Sequence, residues 1–145
     1  MSDPKHTPGY RRNNPFDLEV SKPQIPWHGL TGHEGVFLTF DTPLNGLRNG
    51  YRDLRMQQKL HGLRTVRGIV EKFAPPEEND TAGYIARVCK SLCEGLGREI
   101  SEDDELDMED PATLRWFGDG CLHMEIGGVP YDEVTIQLAV KEALS

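Results

Sequence analysis

The sequence predicts an α+β domain, mostly α-helical with one small β element. Thr42-Pro43 and Asp110-Pro111 each precede apolar residues at helical spacing. A single stretch, "GVFLTFD" from Gly35 to Asp41, has the β-branched and aromatic character of a strand. Size and composition bound the class further: 145 residues, 37% hydrophobic and 28% charged, suit one globular domain. No apolar run approaches the roughly 18 residues that a bilayer span requires.

Taken in order, residues 1–10 read as a loose N-terminus and 11–145 as a single domain without internal repeats. Residues 11–34 are rich in Pro, Asn, Gly and His and lack periodicity, which predicts an irregular segment, too long to be an idle connection. After the strand, Asp41 or Thr42 caps a helix whose first position is Pro43, where a missing N–H costs nothing. Leu44, Leu47, Tyr51 and Leu54 form its apolar stripe, with Arg48, Arg52 and Arg55 opposite and a stop near Gly62. Thr65 then caps a short helix that turns Val66, Ile69, Val70 and Phe73 inward and ends at "APP". Asn79 or Asp80 opens the next, which buries Tyr84, Ile85, Val88 and Leu92 and ends at Gly95 or Gly97. Asp110 and Pro111 start a helix running to Ile126, and the last amphipathic segment is expected to turn Val134 and Leu138 inward.

Charge is unevenly placed. Residues 1–72 carry eleven Lys/Arg against seven Asp/Glu, whereas residues 73–145 carry five against seventeen, so the two halves should attract each other. Eight carboxylates lie between Glu99 and Asp110 with no base among them. They read as a solvated loop rather than a calcium site, because a calcium loop alternates its ligands around a turn glycine. At a net charge of −8, nucleic acid is not an expected partner, although "YRR" and the arginine-bearing helix are locally basic. Cys89, Cys93 and Cys121 read as free thiols. A zinc site from these with His123 is disfavoured by the C-x3-C spacing, so no metal or cofactor is expected. The polar first fifteen residues lack the apolar core of a secretory signal, which predicts synthesis and initial retention in a cytoplasm.

One carboxylate stands apart. In "CLHMEIGGVPY", Glu125 lies among apolar residues before a Gly-Gly break. At 100° per residue, Leu114, Cys121 and Glu125 point within about 20° of one direction, which puts Glu125 on the core-facing stripe. It also falls at the negative end of the helix dipole. Burial and dipole both favour the protonated acid, the form that general acid catalysis of glycoside cleavage needs. Gly118 and Gly120 oppose this geometry, since each weakens a helix by up to ~1 kcal/mol.

The segments "RRNNPFDL", "PWHGLTGHEGVFLTFDTPLNGLRN", "HGLRTVRGIVEKFAPPEENDTAGYIARV" and "MEIGGVPY", in this order, resemble a family of phage-encoded lysozyme-like proteins, virion structural proteins and peptidoglycan transglycosylases among them. The resemblance runs from about Arg11 to about Leu138 and is most specific at "FAPPEENDTAGY". It implies a lysozyme-like fold with Glu125 as catalytic acid and Gly127, Pro130 and Tyr131 in register with the family's closing motif. Asn13, Asn14 and Pro15 match the opening motif, and Glu78, Asn79, Asp80, Thr81 and Tyr84 the centre. Phe16-Asp17 and Ile126 depart from the family pattern. A more distant likeness to autolysin-type glucosaminidases, in which the glutamate helix comes first, implies a circular permutation that would bring Glu125 beside Asn13 and Asn14.

The implied substrate is bacterial peptidoglycan, with Asn13, Asn14, Asn79 and Tyr131 among the binding residues and Trp27, Phe37, Phe40 and Tyr84 as candidate sugar-stacking faces. Hydrolysis would need a second carboxylate, for which Asp41, Glu34 and Asp17 are candidates. Transglycosylation would need only Glu125, the muramic 6-hydroxyl being the nucleophile. The implied location is a phage virion, or the host cytoplasm before release to the cell wall, with other virion proteins as partners and no membrane insertion. Two other readings stand beside this one: a non-catalytic virion component retaining the fold, and a small metal or redox protein using the cysteines.

Overall fold

Each long helix begins on a side-chain oxygen that the sequence supplies. In the computed structural model, which describes residues 3–77 and 79–145 and Phe73 by its backbone alone, Thr42 accepts from the Asn45 N–H at 3.1 Å. Thr65 accepts from Gly68 at 3.0 Å, Asp80 from Gly83 at 3.0 Å, Asp110 from Thr113 at 3.0 Å and Asp132 from Thr135 at 2.8 Å. Each such cap is worth about 1 kcal/mol. The expectations for the Phe73 side chain and for Glu78 fall outside the described residues.

A 3-10 turn, Pro4–His6, leads into α1, Pro8–Arg11. The strands are β1, Leu30–Glu34, and β2, Phe37–Phe40, followed by α2, Pro43–His61, and α3, Val66–Phe73. The chain continues with α4, Thr81–Leu96, α5, Pro111–Glu125, and α6, Glu133–Ala143. The two strands pair antiparallel as Glu34 with Phe37, His33 with Leu38 and Gly32 with Thr39, with an irregularity before Leu30 and Phe40. Helices thus dominate and a two-stranded sheet completes an α+β domain. No helix among the described residues is long and apolar enough to cross a membrane.

Three differences from the sequence reading have physical causes. Residues before Arg11 form two helical turns, because Asp3 and Thr7 cap them and Gly9 is buried against Ile126. Gly118 and Gly120 do not break α5: a Cβ at Gly118 would collide with the Tyr51 ring and one at Gly120 with the Val88 backbone, so both glycines let neighbouring helices approach. In α6, Val134 and Leu138 are exposed, at 75% and 41%, and Ile136, Ala139, Val140 and Ala143 face inward instead. The small alanines admit α2 closely, and that stripe wins over the larger but offset pair.

The main core joins α2 through α6. Leu47, Tyr51, Val66, Ile69, Val88, Leu92, Leu114, Phe117 and Leu122 are all fully buried, each side chain contributing about 1.5–3 kcal/mol where it is large. A smaller cluster, Trp27, Leu38 and Phe40, lies under the sheet and is sealed by Leu18, Leu30 and Met56. The unequal halves do attract. Arg55 forks onto Glu109, Arg67 binds Glu102 at 2.7 Å and Asp103 at 2.8 Å, and Arg48 approaches Glu142 at 3.8 Å. Ile100, Leu106 and Met108 anchor the acidic stretch from beneath, so it is a pinned loop.

Candidate active site

A cleft of about 600 Å³ separates the sheet and the segment before it from the helical body. One wall is Phe16, Asp17, Leu18, Glu19, Trp27 and Phe37. The other brings together Asp53 from α2, Lys72 and Ala74 at the end of α3, Asn79, and Glu125.

Glu125 is the last residue of α5. Its carboxyl is partly buried, accepts a hydrogen bond from the Tyr84 hydroxyl at 3.1 Å, and is in hydrogen-bond contact with the Asp17 carboxyl. Desolvation first, and then the negative charge of Asp17, push the Glu125 pKa up to about 8, while the Tyr84 donor opposes the shift. Burial also raises Asp17, against the pull of its bond to Glu125 and of the nearby Arg12 charge. Two carboxyls in contact cannot both ionise cheaply, which adds to the rise at Glu125. Burial drives the Tyr84 hydroxyl far above its ordinary range, which keeps it a donor.

Asp17 reaches Glu125 because the chain around it is tightly held. Asn14 is fully buried. Its amide donates to the Leu18 and Leu38 carbonyls, each at 2.9 Å, and its side-chain oxygen accepts from the Leu18 N–H at 2.9 Å. The Asp17 N–H donates to the Asn14 carbonyl at 3.0 Å. Asn13 and Asp17 both adopt left-handed backbone, with φ of 56° and 52°, a conformation that Asn and Asp tolerate better than other non-glycine residues and that recurs where a site fixes its backbone. Gly46 of α2 leaves room for the Asn13 carbonyl, and Gly9 comes within a Cβ's reach of the Asp17 carboxylate. Phe16 packs edge-on against Tyr51, and Ile126 is buried beside Gly9. The two departures from the family pattern are therefore packing positions, apart from the Asp17 carboxyl itself.

The other residues singled out from sequence divide clearly. Trp27, Phe37 and Asn79 line the cleft. Trp27 is mostly buried, Arg12 covers Phe37 at 5.0 Å from its centroid, and Asn79 donates to the Pro75 carbonyl at 3.2 Å. Tyr84 reaches the site through its hydroxyl, its ring lying in the main core. Asn13 donates to the Phe40 carbonyl at 3.1 Å, and Asn14 is a buried clamp, so the opening motif builds the site rather than facing a ligand. Phe40, 4% exposed, belongs to the small core, and Tyr131 stacks on Tyr10 with centroids 5.7 Å apart. Neither lines the cleft. Glu34 pairs with Arg12 at 3.0 Å, and Asp41 accepts from the Asn45 amide at 2.8 Å. Both are exposed outside the cleft, which leaves Asp17 as the candidate that meets Glu125.

Asp53 and Lys72 escaped the sequence reading. Asn49, Asp53 and Gln57 recur at every fourth residue beside the apolar stripe of α2, a spacing that a solvent face shows equally, so the sequence carries no signal that separates them. Asn49 and Gln57 are buried, and Asn49 donates to the His28 carbonyl at 2.9 Å. Cys121 is buried in the core, with burial pushing its thiol well up, and among the described residues no group of His, Cys, Asp and Glu is arranged to hold a metal ion.

No family model matches the chain. It is similar to Protein P5 of Pseudoalteromonas phage PM2, with 36% identity over 133 residues that cover 87% of this chain and 76% of that protein.

Proposed function

We propose, for a chain that belongs to the family of Protein P5 of Pseudoalteromonas phage PM2, that it cleaves the glycan strand of peptidoglycan by general acid catalysis from Glu125. The observation that carries this reading is the partly buried Glu125 carboxyl, its pKa raised by burial and by Asp17, at the wall of a cleft large enough for a saccharide. Glu125 donates that proton to the leaving glycosidic oxygen as positive charge develops on the sugar ring. Asp17 keeps the acid protonated beforehand and its own charge then faces the oxocarbenium-like centre.

The spacing of the two carboxyls favours a particular route. Hydrolases that invert keep their carboxyls ~6.5–9.5 Å apart to admit water, and those that retain keep them ~5–5.5 Å apart to form a glycosyl ester. Asp17 and Glu125 are in hydrogen-bond contact, closer than either spacing. That contact favours attack by the sugar's own 6-hydroxyl, with Glu125 taking that hydroxyl's proton after giving its own, and so a lytic transglycosylase. A lysozyme-like arrangement in permuted order is supported by the same contact, which joins the Asn13–Asp17 loop to the end of α5.

Incubation with purified peptidoglycan tests the reading, with turbidity and muropeptide mass spectrometry as readouts. Loss of turbidity that disappears in Glu125→Gln, with 1,6-anhydro-muramic ends in the products, is the expected result. Reducing ends would replace the transglycosylase by a hydrolase. An inert wild type would leave the fold as a scaffold within the virion.

A further inference from the structure

Gly9, buried in α1, has no group to move a proton, yet it lies against both of the segments that carry the two carboxyls. A Cβ there would stand 2.9 Å from Asp17 Oδ1, 3.0 Å from the Cγ2 of Ile126, which follows Glu125, and 3.1 Å from the Asn14 carbonyl oxygen. Its own carbonyl accepts from the Asn14 N–H at 2.9 Å, which ties it to the loop that presents Asp17. The turn around it is fastened to the chain beyond Glu125. Tyr10 stacks on Tyr131, and a Cβ at Gly128 would meet Pro4 at 2.9 Å.

Backbone geometry does not ask for glycine at this place. Gly9 is not one of the left-handed glycines, and alanine is the better helix former. What the missing side chain leaves free is the space beside the Asp17 carboxyl. Of the three atoms that a methyl group would press on, two end the side chains of Asp17 and Ile126, and the third is the backbone of the fully buried, clamped Asn14. The side-chain ends yield before that backbone does, so an alanine is expected to leave the fold standing and to push the Asp17 carboxyl aside. We propose that Gly9 is a positioning residue, whose bare α-carbon lets the Asp17 carboxyl lie against Glu125. It acts through Asp17, and its part in catalysis rests on the glycan-cleaving reading above.

The test is Gly9→Ala in the full chain, with the Glu125 carboxyl followed by carbon-13 NMR titration and assigned against Glu125→Gln, a measurement that needs no turnover. The Glu125 midpoint, about 8 in the parent, should fall by about one pH unit, since the contribution of Asp17 goes and that of burial stays. The alkaline limb of peptidoglycan cleavage should follow it, with the rate down about tenfold at pH 7. Gly128→Ala presses on Pro4 of the neighbouring turn and on no carboxyl, so it should leave the midpoint in place whatever it does to the melting temperature. In an Asp17→Ala background, Gly9→Ala should move the midpoint no further. A Gly9→Ala chain that folds only once Asp17→Ala is added still locates the pressure at that carboxyl and supports the inference. Failure to fold in both backgrounds overturns it, as does an unmoved midpoint in folded Gly9→Ala or an equal fall in Gly128→Ala. A shifted midpoint with an inert wild type removes the glycan-cleaving reading and keeps the positioning; an active wild type with an unmoved midpoint does the reverse.

Discussion

The acidic loop from Glu99 to Asp110 and the cleft are both rich in carboxylates, and they behave in opposite ways. In the loop, Arg67 holds Asp103 below its ordinary pKa and Arg55 does the same for Glu109, with water on the other side of each pair. In the cleft, burial raises Asp17, Asp53 and Glu125, and for Glu125 a second carboxyl in place of an arginine adds to the rise. The number of acids is greater in the loop, but unusual proton affinity arises in the cleft. Desolvation and the sign of the neighbour decide it, and the count does not.

Four experiments would break or sharpen that contrast. The largest effect is expected from Glu125→Gln, which should lower peptidoglycan cleavage by about a thousandfold, within the range general acids supply; a loss under tenfold would remove Glu125 from the chemistry. Asp17→Asn should cost roughly ten- to a hundredfold and should move the alkaline limb of the pH–rate profile toward acid, because the charge that lifts Glu125 is gone. An unmoved limb would mean that the two carboxyls do not share a proton.

The third experiment reads the same shift as stability. Glu125 has a folded pKa of about 8 against an ordinary 4.5, so between those values the native state holds the extra proton and its stability falls as pH rises. Glu125→Gln should therefore melt about 10 °C or more above wild type at pH 9 and converge with it below pH 4.5. A difference independent of pH would contradict the assignment.

The smallest effect belongs to the loop. Asp103 is fully exposed with a lowered pKa, so the stability it contributes is present above the ordinary aspartate range and fades as pH falls through its lowered value. Asp103→Asn should shift the melting temperature by no more than about 1 °C at neutral pH and not at all at pH 2. A larger change would make the loop a structural element in its own right.

What could be read in advance follows the range of the interaction. Thr42-Pro43 and Asp110-Pro111 announce their helices because a cap involves residues three apart, and the facing of Glu125 follows from helical geometry alone. The strand at Phe37–Phe40 was legible. Its partner Leu30–Glu34 was not, since Gly32 and exposed polar residues hide a pairing made by hydrogen bonds rather than by an apolar face. Asn14 looked like a ligand contact, and its burial depends on carbonyls of Leu18 and Leu38 that only the folded chain brings to it. Choosing Asp17 over Asp41 and Glu34 required a left-handed turn and the α5 terminus in the same place, a long-range fact that no local pattern encodes. On α6 the stripe was misassigned because large side chains outweighed small ones in the reading, whereas close helix contact favours alanine.

The two carboxyls in contact, Asp17 and Glu125, lie far apart in sequence, and Tyr84 from between them donates to Glu125. A chain still emerging from the ribosome, or one cut anywhere in the middle, has ordinary acids at both positions. Completion of folding is thus the event that raises the proton affinity of Glu125. On the function proposed above, a cell that makes the protein would meet no competent enzyme until α5 is in place.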